Sequence, residues 1–226
     1  MIEQVTLRDG TDAFVVPLER TDRAALVAEF ETLSPESQRR RFLAPVRHLS
    51  DAMLDHLVDD VDGVDHIALV LCAETSPDVY DPVALARMVR YADVTDAADL
   101  AVTVKDEWQG RGVATVLLEV LMRRRPAGVD RIVTEVLQDN PASLAMLRRL
   151  GAVSLEDEGN GVNGVVVELE PLTPVATPVV TPVVTRVATP SPVPAGRGDG
   201  RPAPLLHDPR HRHELRTRDQ LCPWFS

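Results

Sequence analysis

Two glycines near the middle of the chain are the residues best placed to do chemistry. In Trp108-Gln109-Gly110-Arg111-Gly112-Val113-Ala114 they follow a strand-like apolar run, Leu100 to Val104, and precede a helical pattern, Val113 to Arg125. Glycine backbone at a strand-to-helix junction presents bare N–H groups, and the helix N-terminus adds its partial positive charge at the same place. The stretch therefore suits an anion such as a pyrophosphate. A Walker A loop would need Lys-Ser/Thr after the glycines, and none follows Gly112. A dinucleotide loop would need a third small residue where Thr115 stands and a βαβ unit opening the chain, and neither is present.

The elements that must hold this stretch can be read from pattern. Residues 2–8 and 13–19 form two short strands about the turn Asp9-Gly10-Thr11-Asp12. Thr21 or Asp22 caps a helix to about Leu33, Ser34-Pro35 starts a second that carries Arg39, Arg40 and Arg41, and Ser50 or Asp51 starts a third. Asp65 to Cys72 is a near-continuous apolar run and predicts a central strand. Thr75 to Asp81 reads as a loop, and Val83 to Tyr91 as the next strand. Val113, Val116, Leu117, Val120 and Leu121 give the apolar stripe of a helix that Pro126 stops. Arg131 to Leu137 predicts a buried strand. Asn140-Pro141 opens a further helix with Gly151 as its C-terminal cap. Ala152 to Leu155 and Val162 to Glu170 close the domain as two strands.

Composition bounds the partners. The 226-residue chain has a formal charge of −11, which divides as −14 in residues 1–170 and +3 in 171–226. An acidic body argues against a nucleic acid and suits a cationic partner, although acidity also serves plain solubility. Cys72 and Cys222 are far apart, stand in no metal-type spacing and imply no disulfide framework, and Cys72 lies in an apolar run. No metal site is expected. The N-terminus lacks an apolar signal core and no apolar run is long enough for a bilayer, so no membrane partner and a cytoplasmic location are expected. Eleven of the 18 prolines fall in residues 171–226, where Thr-Pro-Val repeats. Such a segment predicts a disordered or polyproline-like tail, so the expected organisation is one domain over 1–170 and a tail over 171–226.

Taken together, Gln109-Gly110-Arg111-Gly112-Val113-Ala114 resembles the Gln/Arg-x-x-Gly-x-Gly/Ala arm of the GNAT N-acetyltransferases. That family also has an Asn-x-x-Ala/Ser helix start followed by a glycine eleven residues after the Asn, as Asn140, Ser143 and Gly151 stand here. The stretches Leu33-Ser34-Pro35-Glu36-Ser37-Gln38-Arg39-Arg40-Arg41-Phe42 and Asp65-His66-Ile67-Ala68-Leu69-Val70 are similar to the acetyltransferase domain of bacterial Pat-type protein lysine acetyltransferases. The resemblance covers about residues 3–170. It implies an α/β (α+β) GNAT fold, with a mixed, mostly antiparallel sheet flanked by helices.

The same resemblance implies acetyl-CoA as co-substrate and a primary amine, on a protein lysine or a small molecule, as acceptor. The backbone of Val102, Thr103 and Val104 would hold the pantetheine. The N–H groups of Gln109, Gly110, Arg111, Gly112, Val113 and Ala114 would take the pyrophosphate, and Asn140 the lower CoA arm. Pat-like enzymes carry a Glu base where Ala98-Asp99-Leu100-Ala101 has Asp99, so Asp99 would act directly or through a water. Glu107 is a second, weaker carboxylate. Many members carry a Tyr acid where Leu147 stands. These departures keep open a second reading, a catalytically weak or silent acyl-CoA-binding sensor or adaptor with a partner-binding tail.

Overall fold

A computed structural model describes residues 2–170. The tail expected over 171–226 lies outside the described residues. In chain order the elements are β1 (Glu3–Thr6), β2 (Asp12–Pro17), α1 (Arg23–Glu31), α2 (Pro35–Phe42), α3 (Asp51–Leu54), β3 (His66–Ser76), β4 (Val79–Arg90), β5 (Ala97–Val104), α4 (Val113–Arg123), β6 (Arg131–Leu137), α5 (Pro141–Leu147), β7 (Gly151–Gly159) and β8 (Val162–Leu169). A turn of π-helix, Asp55–Asp59, continues α3. No helix among the described residues is long and apolar enough to cross a membrane.

The strands form one sheet in the order β1-β2-β3-β4-β5-β6-β8-β7. Neighbours run antiparallel except β5 and β6, which run parallel. The apolar run in β3 explains itself by alternation across two cores. Ile67, Leu69, Leu71 and Ala73 pack on the face covered by α4 and α5, with Val113, Leu117, Leu121 and Leu147. Ala68, Val70 and Cys72 pack on the other, with Phe14, Val16, Leu57 and Val58. A strand buried on both faces has no polar side to show.

One irregularity shapes the sheet. β5 and β6 pair only at Ala97 with Arg131 and Ala98 with Ile132. Beyond that point β5 stays paired with β4 as far as Val104, and β6 with β8 as far as Leu137. The facing edges of β5 and β6 therefore open into a wedge.

Two expectations change. Residues 75–81 are a tight β3–β4 hairpin, not an open loop, with Asp78 at φ 62 in the left-handed region. Gly151 is the first residue of β7, and the C-cap of α5 is Arg148. Gly151 is required by packing instead: a Cβ there would come within 1.8 Å of the Glu168 carbonyl oxygen on β8. The turn between β7 and β8 consists of Asn160 and Gly161. Asn160 and Gly161 both have positive φ, 52° and 79°, as a two-residue hairpin turn demands.

A side-chain staple fixes α2 over the loop that leads to the glycines. Ser34 caps α2, its Oγ accepting from the Ser37 N–H at 3.2 Å. Asp106 then accepts from the Ser34 N–H at 2.9 Å, from the Ser34 Oγ at 2.8 Å and from the Ser37 Oγ at 2.7 Å. Burial pushes the Asp106 carboxyl up, but the Ser34 N–H and the two hydroxyls outweigh it and hold the carboxyl below its ordinary range.

Both features are testable by urea denaturation. Gly151→Ala is expected to cost about 2 kcal/mol, because β8 backbone must move to admit one methyl group. Asp106→Asn is expected to cost about 1 kcal/mol, a modest figure because the carboxyl faces solvent. A carboxyl depressed in the folded state stabilises fully above its unfolded pKa and loses that effect as pH falls through the lower folded value. The gap between Asp106→Asn and the parent is therefore expected to be constant near neutrality and to shrink below about pH 4.

Candidate active site

The glycine stretch takes the form its sequence demands. Gly110 and Gly112 have φ of 76° and 86°, with Arg111 between them, and Gly112 is the N-cap of α4. Among the described residues, the N–H groups of Gly110, Arg111 and Gly112 meet no acceptor. Alternation of left-handed glycines around an ordinary residue turns successive N–H groups toward one point, an anion nest that the α4 N-terminus extends through Val113 and Ala114.

Gln109 behaves differently. Its N–H donates to the Asp106 carbonyl at 3.3 Å, so it is not a free donor to the nest. Its side-chain Nε2 lies 3.2 Å from both the Ser37 Oγ and the Val104 carbonyl. Gln109 is thus a brace between β5, α2 and the nest. Arg111 contributes backbone only. Its guanidinium lies over the buried Trp108 ring, 3.9 Å from the centroid, and donates to Asp9 at 2.7 Å and Thr11 at 3.2 Å. The Thr11 hydroxyl and N–H, followed by Arg111, bring Asp9 down to about 2. The first hairpin and the nest are therefore locked together.

This locking brings in Arg8, which sequence reasoning missed. A Cβ built on Gly112 would sit 3.5 Å from the Arg8 Cβ and 3.9 Å from its Nε. Arg8 is exposed and has no hydrogen bond or ion pair among the described residues. It lines a groove of about 570 Å³ together with Val102, Thr103, Val104, the nest and α5. Arg149, donating to Thr115 at 3.0 Å, stands on the same groove.

A second groove, of about 710 Å³, lies on the other side of the wedge and holds Asp99. The two grooves meet at Arg40, Arg41, Val102, Asn140, Ser143 and Met146. Asn140 is buried and fills its N-cap role: its Oδ1 accepts from the Ser143 N–H at 3.2 Å and its Nδ2 donates to the Ser143 Oγ at 2.8 Å. The same residue borders both grooves.

Asp99 is half-buried, with its Oδ1 2.8 Å from the Thr134 hydroxyl. It lies opposite Val89 in register, so Arg87 is two residues along β4 on the same face. Arg87 is buried, and its Nη2 donates to the His56 Nε2 at 3.0 Å. Burial pushes Arg87 down, and Asp99 and Asp60 push it back up. Burial and then the Arg87 charge bring Arg41 down to about 10, again opposed by Asp99. Asp99 is therefore counter-charge to two guanidiniums as well as a carboxylate facing the groove.

The arginine run on α2 resolves residue by residue. Arg39 pairs with Glu36 and Asp139, and Arg40 with Glu36. Arg41 has no hydrogen bond among the described residues and lies over Phe42 at 4.8 Å. Glu107 lines neither groove. Leu147 is buried to 1% exposure and offers no proton. Residues 75–81 lie outside the second groove. Tyr91, which sequence reasoning passed over, lines it, and its hydroxyl donates to the Val133 carbonyl at 2.9 Å.

Comparison with known proteins agrees with this geometry. The family model of the acetyltransferase (GNAT) domain matches residues 14–153. The chain is 35% identical over 143 residues to the acetyltransferase Pat of Mycolicibacterium smegmatis, covering 63% of this chain and 41% of that protein. The chain thus spans about two fifths of the length of that relative. The GNAT domain of S. lividans PAT superposes with a TM-score of 0.62 at 31% identity, over 74% of this chain and 97% of that one. A structure from Salmonella typhimurium that holds its cofactor acetyl-CoA shares the fold alone, with a TM-score of 0.53 at 16% identity over 70% of this chain and 93% of that one. With its family model spanning most of the described residues, its sheet parting between β5 and β6 and its glycine nest opening α4, the chain belongs to the GNAT acetyltransferase family.

Proposed function

We propose that the chain transfers the acetyl group of acetyl-CoA to a primary amine, on a protein lysine or a small molecule. The observation that carries this reading is the junction of the two grooves at the wedge. One groove ends in the anion nest and the other holds the carboxylate of Asp99. Gly110 to Ala114 hold the pyrophosphate, with Arg8 and Arg149 beside it. The open edge of β5 at Val102, Thr103 and Val104 takes the pantetheine, and Asn140 borders its lower arm. Acetyl-CoA is an intracellular metabolite, so the reaction belongs in the cytoplasm.

The chemistry is direct transfer. The acceptor ammonium gives a proton to Asp99, directly or through a water, and its nitrogen lone pair attacks the thioester carbonyl. An N–C bond forms, the C–S bond breaks, the now cationic nitrogen gives its second surplus proton to water, and the CoA thiolate leaves and takes a proton from water, since Leu147 supplies none. Holding both reactants at one junction replaces an encounter in solution by a local collision. Removing the amine proton is the step in which a positioned carboxylate contributes most.

The test is the release of CoA thiol in the presence of acetyl-CoA and a panel of primary amines with one lysine-bearing protein. Release above the hydrolysis background with any acceptor supports transfer. Acetyl-CoA binding without release across the panel supports the sensor reading instead. Asp99→Asn is expected to lower kcat at pH 7 by about a hundredfold while the acetyl-CoA Kd stays within about twofold. A melting curve accompanies it, because the substitution also removes the counter-charge of Arg41 and Arg87. Unchanged kcat removes Asp99 from the mechanism.

Arg8 supplies a separate expectation. Arg8→Ala should raise the acetyl-CoA Kd about tenfold by calorimetry at low salt, with the difference narrowing as salt screens an exposed charge. An unchanged Kd would show that Arg8 covers the nest without touching phosphate.

A further inference from the structure

The acceptor groove is walled by carboxylates in an arrangement that folding alone does not require. Glu135 on β6 lies opposite Gly164 on β8, and Gly164 lies opposite Glu156 on β7. Residues in one row of a sheet point to one face, so Glu135 and Glu156 flank a position that has no side chain. The β7–β8 register shifts between Asp157 and Gly159, which leaves Glu158 out of the ladder. A bulge re-aims its side chain, and Glu158 folds over the vacant position: a Cβ on Gly164 would lie 2.6 Å from its Oε1 and 3.3 Å from its Cγ. Glu135, Glu156, Glu158 and Gly164 all line the groove that holds Asp99.

Like charges gathered in this way repel one another, and none of the three glutamates has a hydrogen bond or ion pair among the described residues. Charges on an edge strand guard against edge-to-edge pairing, which would account for Glu156 and Glu158 on β7. It does not account for Glu135, which lies two strands in from that edge, nor for a glycine cleared between them. On the opposite wall Arg40 is already paired with Glu36, leaving Arg41 close to Asp99. The outer part of the groove is thus anionic, and Leu155 and Tyr91, both exposed at its rim, offer apolar surface beside it.

We propose that this groove selects an acceptor carrying two cations: the primary amine that reacts beside Asp99, and a second fixed cation held by Glu135, Glu156 and Glu158 over Gly164. The inference rests on the acetyl-transfer reading for the first amine and extends it to the class of acceptor. A lysine in a peptide segment with a neighbouring arginine or lysine has this chemistry, and so does a polyamine. Closing one cation onto three unpaired carboxylates relieves their mutual repulsion, and the Gly164 position gives the cation room to approach them.

The experiment uses the full chain with acetyl-CoA and two peptides that share one lysine and differ at one nearby residue, arginine in one and glutamate in the other. Spermidine and n-butylamine form the small-molecule pair. The kcat/KM ratio of the arginine peptide to the glutamate peptide is expected to be about ten or more at low salt and to fall toward one as salt rises. In Glu156→Gln/Glu158→Gln the ratio is expected to drop below about three. A ratio is insensitive to the fraction of active protein, so a poorly folding variant still reports. Preference for spermidine over n-butylamine without turnover of either peptide identifies a polyamine, and the converse a basic segment. Equal use of both members of each pair, or a preference that survives the double variant, overturns the proposal. If no acceptor releases CoA, acetyl transfer fails, and anisotropy of the labelled peptides on the acetyl-CoA-loaded protein decides the charge question alone. Tighter binding of the arginine peptide supports it, and equal or absent binding overturns it.

Discussion

The early parting of β5 and β6 is the constraint on which the rest of the site depends. An interior strand that stops pairing along one edge exposes N–H and C=O groups that must find partners. β5 can bear this because β4 holds its other edge along its whole length, and β6 because β8 does the same. Part of the open edge is met by side chains. The Tyr91 hydroxyl donates to the Val133 carbonyl, Gln109 reaches the Val104 carbonyl, and the Thr134 hydroxyl lies 3.2 Å from the Leu100 carbonyl. What these leave open, around Ala101 to Thr103, is where the two grooves join. The sheet is thus tidied at both ends of the wedge and left unfinished in the middle, which is the form expected of backbone that a ligand completes.

The loop between β5 and α4 could not keep its shape on glycine backbone alone, since glycine gains the most freedom when released. Three side-chain fixtures restrain it. Asp106 ties it to the start of α2, Gln109 ties it to β5, and Arg111 ties it through Asp9 and Thr11 to the first hairpin. Two of these fixtures, those of Asp106 and Arg111, cross a long sequence separation, so the nest is assembled only when β1–β2, α2 and β5 are all in place. Arg8 arrives at the nest for the same reason: it shares a turn with Asp9. Preorganised donors of this kind keep their orientation when an anion binds, and the ordering entropy has been spent during folding.

Local features were legible in the sequence, and long-range ones were not. The glycine stretch, the Ser34-Pro35 and Asn140-Pro141 helix starts and the Asn160-Gly161 turn are short patterns with their own stereochemistry, and each occurs where its pattern implies. The two-sided burial of β3 was readable from an apolar run. Gly151 was noticed at the right place for the wrong physical reason, because its need comes from the Glu168 carbonyl seventeen residues away and not from the end of α5. The 75–81 stretch looked like a loop because Pro77 and Asp78 disfavour strand, yet they form only the tip of a hairpin. The row of Glu135, Gly164 and Glu156 depends on the register of three strands, and the aim of Glu158 on one bulge. No spacing along the chain encodes either. What the sequence did carry was the overall excess of acid, without its address.

That address bears on why Asp99 is an aspartate. The position is asked for a negative charge from two directions: the partly and fully buried guanidiniums of Arg41 and Arg87 need a counter-charge, and the proposed transfer asks for a carboxylate that can take the amine proton. Neither demand fixes side-chain length. Thr134 does, since its hydroxyl meets the Asp99 Oδ1 at 2.8 Å from the facing strand, close to where β5 and β6 begin to part. A longer carboxylate would overshoot that hydroxyl and move away from Arg87 into the groove. Aspartate keeps the charge back against the sheet and leaves the space before it open to the groove. In the same groove Glu135, Glu156 and Glu158 have no guanidinium partner among the described residues. The two sets of carboxylates therefore differ in setting: one has guanidiniums behind it and faces the groove, and the other has no such partner among the described residues.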